Sequence, residues 1–300
     1  MAGGGHVCGA GRCLPRARLA LPAQLRAPGP PAGNARAHVT AAVRVFFVGG
    51  AISYRALFNW IRPGIYVTTM LGSPLFQILF FTYLGRYTHS ENESFFVVGN
   101  AVQVSSMSAI YGMTMGIANE RQFGTLQPLL ATPANRLAVF SGRALPFVAN
   151  GLFVSAFGFA VGRVFLHFHP AGRTLPMLAL VVLVTTWSCT AFGLLIGSIG
   201  LHARDVFFAA NLVYFLMLLV CGVNVANGDL PGWLATIGRG LPLTHGIEAA
   251  RRIAAGAALG DVSRMVVVEA LIGLAYGVAA YGLFRLFEAE GRRRASLETF

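Results

Sequence analysis

Charge is scarce in this chain, and lysine is absent altogether. Charged residues make up 11% of the 300 residues, and the 23 basic residues, all of them arginine, give a formal net charge of +12. A soluble domain carries about 25% charged residues, because its surface must face water. Hydrophobic residues account for 55% of this chain. The low charge therefore argues against an ordinary soluble domain and indicates a surface that largely faces lipid.

The absence of lysine also excludes one kind of active site. A Walker A loop, GxxxxGK[ST], needs a lysine to reach the terminal phosphates of ATP. The chain contains neither the HExxH pattern of zinc proteases nor the GxSxG pattern of serine hydrolases. We therefore expect no catalytic, cofactor or metal site on this chain. If ATP drives it, ATP and Mg²⁺ are bound by a partner subunit.

Cysteine is rare as well, and its four positions form no metal-binding or redox pattern. Cys8 and Cys13 lie near the amino terminus, while Cys189 and Cys221 lie inside apolar runs, where packing is the simplest role. The arginine excess could indicate nucleic-acid binding. The arginines, however, cluster between apolar runs, which is typical of the inner face of membrane proteins. We expect membrane lipid as a partner and no nucleic acid.

The amino-terminal segment 1–42 is rich in Ala, Gly, Pro and Arg, and no acidic residue precedes Glu91. Such a segment cannot bury enough apolar surface to order itself. Pro22 and Arg26 interrupt its best apolar run, so it lacks the core of a signal peptide. We expect a disordered cytoplasmic tail, although a misassigned translation start would look the same.

Long uncharged runs dominate the rest of the chain. A membrane-spanning helix needs about 20 predominantly apolar residues. Suitable runs occupy residues 64–85, 94–119, 144–162, 174–201, 206–228 and 265–284. The sixth run contains one acidic residue, Glu269, near its predicted outer end. These runs predict an all-α integral membrane protein with six transmembrane helices over residues 43–287, followed by a cytoplasmic tail, 288–300.

Polar groups inside the predicted spans are almost all uncharged. Ion-coupled carriers usually bury acidic or basic residues at mid-depth, so this pattern disfavours proton or sodium coupling. Hydrogen bonding between helices is at least as good an explanation as contact with a substrate. The residues are Gln77, Asn100, Gln103, Asn150, Thr185, Thr186 and Asn211. Glycine pairs at GxxxG spacing, which permit close helix contact, occur at 112/116, 158/162 and 193/197.

Arginine distribution orients the six predicted spans. An even number of spans places both termini on one side, and more arginines flank the spans on that side than on the other. Cytoplasmic loops carry the excess of basic residues. We therefore expect cytoplasmic termini. The Ala- and Gly-rich, arginine-only composition is typical of a GC-rich bacterial genome, so the expected location is the bacterial cytoplasmic membrane.

A short amphipathic segment, residues 53–62, precedes the first span. Its apolar residues recur at helical spacing, its polar residues share another face, and Pro63 would end the helix. This pattern is typical of a helix lying in the membrane interface, although a continuation of the first span is the alternative. The residues expected on or beside the apolar face are Tyr54, Leu57, Phe58, Trp60 and Ile61.

The loop after the second span, 119–136, also contains a short amphipathic pattern. Leu126, Leu129 and Leu130 share one helical face, Thr125 could cap the start, and Pro133 would help end the helix. Such a helix can dock into a groove on a soluble partner. An ordinary connector between two spans is the alternative.

The segment before the last span, 228–252, is too polar to cross a membrane and too apolar for a free loop. Leu230, Trp233, Leu234 and Ile237 would share one face of a short helix, and residues 242–251 would begin a second. We expect these helices to enter the outer leaflet and turn back. An outer loop that only packs over the spans is the alternative.

At these two loops the sequence resembles the type-2 ABC transporter permeases, most closely the drug- and antibiotic-export branch, although the polysaccharide-export branch shares both motifs. The matching residues in the first loop are Glu120, Gly124, Thr125, Leu126, Leu129, Leu130 and Pro133, with Arg121 beside them. Gln127 stands where the family often has a second acidic residue. In the second loop they are Leu230, Pro231, Trp233, Leu234, Pro242, Leu243, Thr244, His245, Glu248, Ala249 and Arg251.

The resemblance implies roles for both loops. The first would be the coupling helix that contacts the ATPase subunit, and the second would form re-entrant helices that close the outer exit. It further implies a permease dimer, with an identical or sister subunit, bound to two copies of an ABC ATPase and exporting an amphiphilic drug, antibiotic, lipid or glycan-linked substrate. The alternatives are an ATPase-independent secondary carrier or channel and a membrane-embedded enzyme.

Overall fold

The computed structural model of the chain describes residues 44, 47–50, 67–88, 92–122, 136–200 and 206–294. For residues 67, 69, 120–122, 136–141 and 287–294 it describes the backbone alone. Within these ranges every regular element is a helix, and none is a β-strand. The expected all-α character is confirmed for this part of the chain.

The α-helices are numbered α1 to α8 in chain order. Their bounds are α1 Gly72–Thr88, α2 Glu93–Gln122, α3 Arg136–Phe165, α4 Leu175–Gly200, α5 Val206–Val220, α6 Gly232–Gly240, α7 Thr244–Ala254 and α8 Leu259–Arg294. A π-helical turn, Val67–Leu71, leads into α1, and a 3-10 turn, Gly172–Thr174, leads into α4.

The six longest helices alternate in direction along the chain. α2 is antiparallel to α1, α3 and α5 and parallel to α4, which in turn is parallel to α8. The facing residues that establish this are Gln77–Asn100, Gly85–Phe96, Val97–Gly162, Ala101–Gly158, Ile110–Gly193, Ile117–Gly197, Tyr111–Phe207, Gly99–Val223, Ser188–Gly273 and Ala191–Gly277. Successive connections therefore lie at alternate ends of the bundle.

α2 lies at the centre of the bundle and packs against α1, α3, α4, α5 and α7. Its buried side chains include many polar ones, which suits a helix surrounded by protein on most sides, because interhelical hydrogen bonds are a main means of helix association in membranes. The buried polar residues of α2 are Asn100, Gln103, Ser105, Ser106, Ser108 and Thr114.

Glycines allow the close packing of α3 and α4 on α2. A Cβ atom on Gly193 would lie 2.9 Å from the Cα atom of Ile110, and one on Gly158 would lie 3.1 Å from the Cα atom of Ala101. The GxxxG pairs 158/162 and 193/197 therefore do permit close helix approach. The pair 112/116 differs, because both of its glycines face the ring of Phe147 rather than a neighbouring main chain.

Among the described residues, three helical stretches are long and apolar enough to cross a membrane: Gly142–Phe165, Gly172–Gly200 and Leu259–Leu286. α5 is apolar but has 15 residues, which at 1.5 Å per residue gives about 22 Å, short of a hydrocarbon core of about 30 Å. Half of the apolar stretch in α4 is buried, but only 17% of that in α8. α8 therefore presents most of its apolar surface outward.

The predicted end of the fifth span is wrong, and the last helix is longer than the span predicted within it. The fifth span was expected over 206–228, but α5 ends at Val220 and bends follow, with Gly222 at φ 76°. The last helix was expected over 265–284, but α8 begins at Leu259 and continues through Arg294 into the predicted tail. Glu269 therefore lies ten residues into α8, and it is 1% exposed.

Candidate functional site

A hydrogen-bonded polar network joins α1, α2 and α5. The Gln77 amide donates to Asn100 Oδ1 at 3.0 Å, and the Tyr214 hydroxyl donates to Gln77 Oε1 at 2.7 Å. Asn100 Nδ2 donates to Asn224 Oδ1 at 2.8 Å, just beyond the end of α5. Hydrogen bonding between helices, one of the two explanations given for the uncharged polar groups in the spans, is confirmed for Gln77 and Asn100.

An open groove of about 620 Å³ lies between α1 and α5, beside this network. Most of its lining is aromatic or aliphatic, and Gln77 of α1 and Tyr214 of α5 supply polar atoms. The other lining residues are Ser73, Phe76, Leu79, Phe80, Phe81, Tyr83, Phe215 and Leu218. An apolar cleft with a few polar groups is the usual composition of a small-molecule site, and here it suits an amphiphilic molecule.

The α6–α7 segment, residues 230–254, contains the second sequence motif. Its two short helices match the expectation for this region: Pro231 stands at the N-cap of α6, and Thr244 begins α7. The Thr244 hydroxyl donates to the carbonyl of Gly238, and the Tyr276 hydroxyl of α8 donates to that of Gly240 at 2.9 Å. Side-chain bonds thus hold the end of α6 to α7 and to α8.

The two helices of this segment differ in their surroundings. On α6, Trp233 is 67% exposed and Ile237 47% exposed. α7 buries Thr244, Ile247 and Ile253 and packs against α2, α4 and α8. α6 therefore presents apolar side chains outward, while α7 is part of the protein core.

Glu269 of α8 holds the start of α7. Its two carboxylate oxygens accept hydrogen bonds from the main-chain N–H groups of Leu243, at 2.8 Å, and Gly246, at 3.2 Å. The first N–H groups of a helix have no partner within the helix, and the helix dipole favours an anion there. Leu243 has φ 95°, a left-handed conformation that a leucine rarely adopts.

Arg251 of α7 binds main-chain carbonyls of two other elements. Its guanidinium donates to Gly222 O at 2.7 Å, to Val223 O at 2.8 Å, and twice to Phe95 O, at 3.1 and 3.2 Å. The guanidinium carbon also lies 3.4 Å from the centroid of the Phe95 ring. The neighbouring Arg252 instead makes an exposed ion pair with Glu248, at 2.6 Å.

The structure brings the residues of the second motif together and leaves the first motif largely undescribed. Glu120 and Arg121 lie in the last turn of α2, with their backbone alone described. The remaining predicted coupling residues, Gly124 to Pro133, and the predicted interfacial helix, with Tyr54, Leu57, Phe58, Trp60 and Ile61, lie outside the described residues. Their roles stay predictions.

The two motif segments lie at opposite ends of α2. Arg251 contacts Phe95, in the first turn of the helix, whereas residues 123–135 follow its last residue, Gln122. At 1.5 Å per residue, Phe95 and Gln122 are about 40 Å apart along the helix. One segment is therefore at each end of the bundle.

Sequence reasoning missed the parts played by Tyr214, Asn224 and Glu269. Asn224 and Asn227 lie inside a run that had been assigned to a span, and two amides so close together were a sign that the helix ends earlier. Glu269 was noted as an acid in a span, but its partners are main-chain N–H groups of Leu243 and Gly246, 26 and 23 residues away in the chain. No local pattern indicates such a contact.

Long apolar helices packed in alternating directions define a multi-pass integral membrane protein. A model of the ABC-2 type transporter family matches residues 50–254, which is more than half of the chain. The chain therefore belongs to the ABC-2 type transporter family, whose membrane subunits are type-2 ABC permeases. The resemblance found at the two motifs is confirmed.

Curated relatives are described as ABC transporter permeases. The "Probable multidrug ABC transporter permease YbhR" of Escherichia coli (strain K12) is 24% identical over 205 residues, which cover 66% of this chain and 54% of the relative. The protein of the same name in Escherichia coli O157:H7 gives the same figures. The chain thus spans about half the length of the curated relatives it matches.

Proposed function

We propose that this chain is the membrane-spanning permease subunit of an ABC exporter in the bacterial cytoplasmic membrane, and that it moves an amphiphilic substrate with ATP hydrolysed by a separate subunit. The observation that carries the proposal is the match of residues 50–254 to the ABC-2 type transporter family. The sequence adds a reason for the separate subunit, because a chain without lysine has no Walker A loop.

The proposed topology has six spans with both termini in the cytoplasm. Three helical stretches qualify as membrane spans by length and composition. The alternating directions of α1, α2 and α5 support the assignment of these helices as the remaining spans. α1 with its leading π turn covers Val67–Thr88, α2 has 30 residues, and α5 reaches further with the buried chain after Val220. This topology places the loop 119–136 in the cytoplasm and the α6–α7 segment outside.

Transport would begin at the cytoplasmic loop. Two ATPase subunits closing on ATP would push on residues 119–136 of each permease in a dimer. Because this loop joins α2 directly to α3, a displacement there would act on both helices. α2 also packs against α1, α4 and α5. α2 would then carry the movement to the α6–α7 segment at its other end.

The groove between α1 and α5 supports an amphiphilic cargo. Its aromatic walls would hold an apolar body, and the Gln77 amide and the Tyr214 hydroxyl could exchange hydrogen bonds with a polar end. A substrate of this kind would enter from the lipid with its apolar part still shielded from water.

The test of the proposed coupling is co-purification with the candidate ABC ATPase of the host. The wild type should capture the ATPase, and a Glu120→Ala, Leu126→Ala, Leu129→Ala variant should not, since it removes the charge and the apolar face expected to dock. Thr132→Ala, in the same loop but off that face, is the matched control and should still bind. A folded wild type that captures no ATPase would remove the exporter proposal and favour an independent carrier or channel.

The topology has a separate test. A cysteine replacing His169, in the exposed turn between α3 and α4, should react with a membrane-impermeant maleimide in intact cells. A cysteine replacing Ser296 should react only after the membrane is permeabilised. Labelling of both in intact cells, or of neither, would refute the proposed orientation.

A further inference from the structure

The chain leaves its helical path while still inside the protein. α5 ends at Val220, and the next residues bend back with Cys221 and Val223 at 0% exposure. A helix satisfies its own carbonyls, whereas an irregular chain buried in a membrane protein needs donors from elsewhere. The carbonyls of Gly222 and Val223 are in this position.

Arg251 supplies these donors. One guanidinium nitrogen binds Gly222 O, another binds Val223 O, and the side chain also binds Phe95 O in the first turn of α2. Arg251 and the chain after α5 lie so close to α2 that there is no room for a side chain at Gly99. A Cβ atom there would lie 2.5 Å from Val223 O and 2.6 Å from Arg251 Nη2.

Arg251 can do this only if α7 is held in place. Glu269 provides that hold at the other end of α7, through the N–H groups of Leu243 and Gly246. The left-handed backbone at Leu243 is unfavourable by itself, so the bonds to the carboxylate help to keep the chain in that conformation. α7 is thus fixed at its start by the carboxyl group of Glu269 and in its last turn by the guanidinium of Arg251.

We propose that Arg251 and Glu269 are positioning residues: Glu269 fixes the start of α7 on α8, and Arg251 uses α7 to hold the irregular chain after α5 against the first turn of α2. The exporter proposal needs an α6–α7 segment but assigns no task to either residue. If the path opens at this end, either α2, α7 and the end of α5 move together or the bonds of Arg251 to the carbonyls break.

The geometry requires arginine in particular. A guanidinium presents five donors in a rigid planar fork, whereas a lysine ammonium is a compact point charge on a flexible stem. Lysine at position 251 would keep the charge but could not reach the carbonyls of residues 95, 222 and 223 in the same way. The chain also provides matched controls, since Arg252 and Glu248 lie on the same helix and their ion pair is exposed.

The natural thiol of Cys221 is a reporter for the irregular chain, because it is buried immediately before Gly222. In a variant whose other three cysteines are replaced by serine, reaction of Cys221 with a water-soluble maleimide measures how often this chain opens. Hydrogen bonds to a charged group are among the stronger ones in proteins, so the loss of one or more should raise the labelling rate by about tenfold or more.

The experiment compares Arg251→Lys, Arg251→Gln and Glu269→Ala with the controls Arg252→Gln and Glu248→Ala. We expect faster labelling of Cys221 in the first three and the wild-type rate in the two controls. The proposal is overturned if Arg251→Lys labels at the wild-type rate or if Arg252→Gln labels as fast as Arg251→Gln.

A second reporter separates positioning from general stability. A parallel set of variants retains Cys189 alone, which is buried in α4. Cys189 should stay protected when Arg251 is changed. If it becomes reactive together with Cys221, Arg251 stabilises the whole fold and the positioning proposal is wrong. Neither reporter requires a cargo or an ATPase, so the result stands apart from that of the exporter proposal.

Discussion

Replacing Gly273 of α8 by alanine tests the close packing of α8 on α4. The added Cβ atom would lie 2.8 Å from Ser188 Cα and 2.9 Å from Trp187 Cζ3. Carbon atoms make their best contacts at about 3.5 Å, so α8 would have to retreat by about 0.6–0.7 Å. Because one of the opposing atoms belongs to the main chain of α4, side-chain rotation alone cannot relieve the clash.

The expected cost follows from that retreat. A radial gap of about 0.5–1 Å loses a quarter to a half of the dispersion energy of each contact, and overpacking in proteins costs about 1–3 kcal/mol. We expect a loss of about 2 kcal/mol in the free energy of unfolding, which is about 30-fold in the equilibrium constant.

Gly277 is the matched control, one turn along the same helix. A Cβ atom there would meet only Ala191 Cβ, at an ordinary 3.8 Å, so Gly277→Ala should change the free energy of unfolding by less than about 0.5 kcal/mol. The assay is denaturation in mixed detergent and dodecyl sulfate micelles, followed by tryptophan fluorescence. Equal free energies of unfolding for the two alanine variants would show that α8 can move away from α4 at little cost, and would refute the reasoning.

Three further predictions concern other helix contacts. Thr114→Val removes the 3.0 Å hydrogen bond to Gly193 O while the side chain keeps nearly the same shape. The same assay should show a decrease of about 0.6 kcal/mol in the free energy of unfolding, and an unchanged free energy would contradict the prediction. Gly246→Ala should destabilise the protein by driving a methyl group into the Thr185 side chain, and Thr185→Ala should recover part of that loss; strictly additive effects in the double-mutant cycle would exclude this clash. In the wild type, Cys189, which is buried, should react with a water-soluble maleimide only after unfolding, and mass spectrometry would reveal any earlier modification.

Much of the helical architecture could be predicted from the sequence. Charge is so scarce that uncharged runs mark the long helices directly, and α2, α3 and α4 lie within a few residues of the predicted ranges apart from the start of α3. The two short helices before the last span were also predicted, the first because Trp233 and Ile237 recur at helical spacing and the second over residues 242–251. The membrane class followed from these patterns, and the family followed from the resemblance at the two loops.

The contacts that define the candidate site could not be predicted in this way. The end of α5 depends on Arg251, about 30 residues further along the chain, which satisfies carbonyls that a helix would otherwise satisfy itself. The run of uncharged residues continues past Val220, so counting residues extends the helix too far. The partners of Glu269 and the hydrogen bond between Tyr214 and Gln77 are likewise long-range contacts without a local signature.

The polar character of α2 has a consequence for the biogenesis of the protein. Helices enter the bilayer from the translocon according to their apolarity, and α2, with buried side chains such as Asn100, Gln103 and Thr114, is not among the helices apolar enough to qualify by itself. We infer that α2 enters as part of a hairpin with α1 or waits for α3, whose surfaces shield its polar groups. A nascent chain halted directly after α2 should therefore insert poorly, whereas one that extends through α3 should insert as a unit.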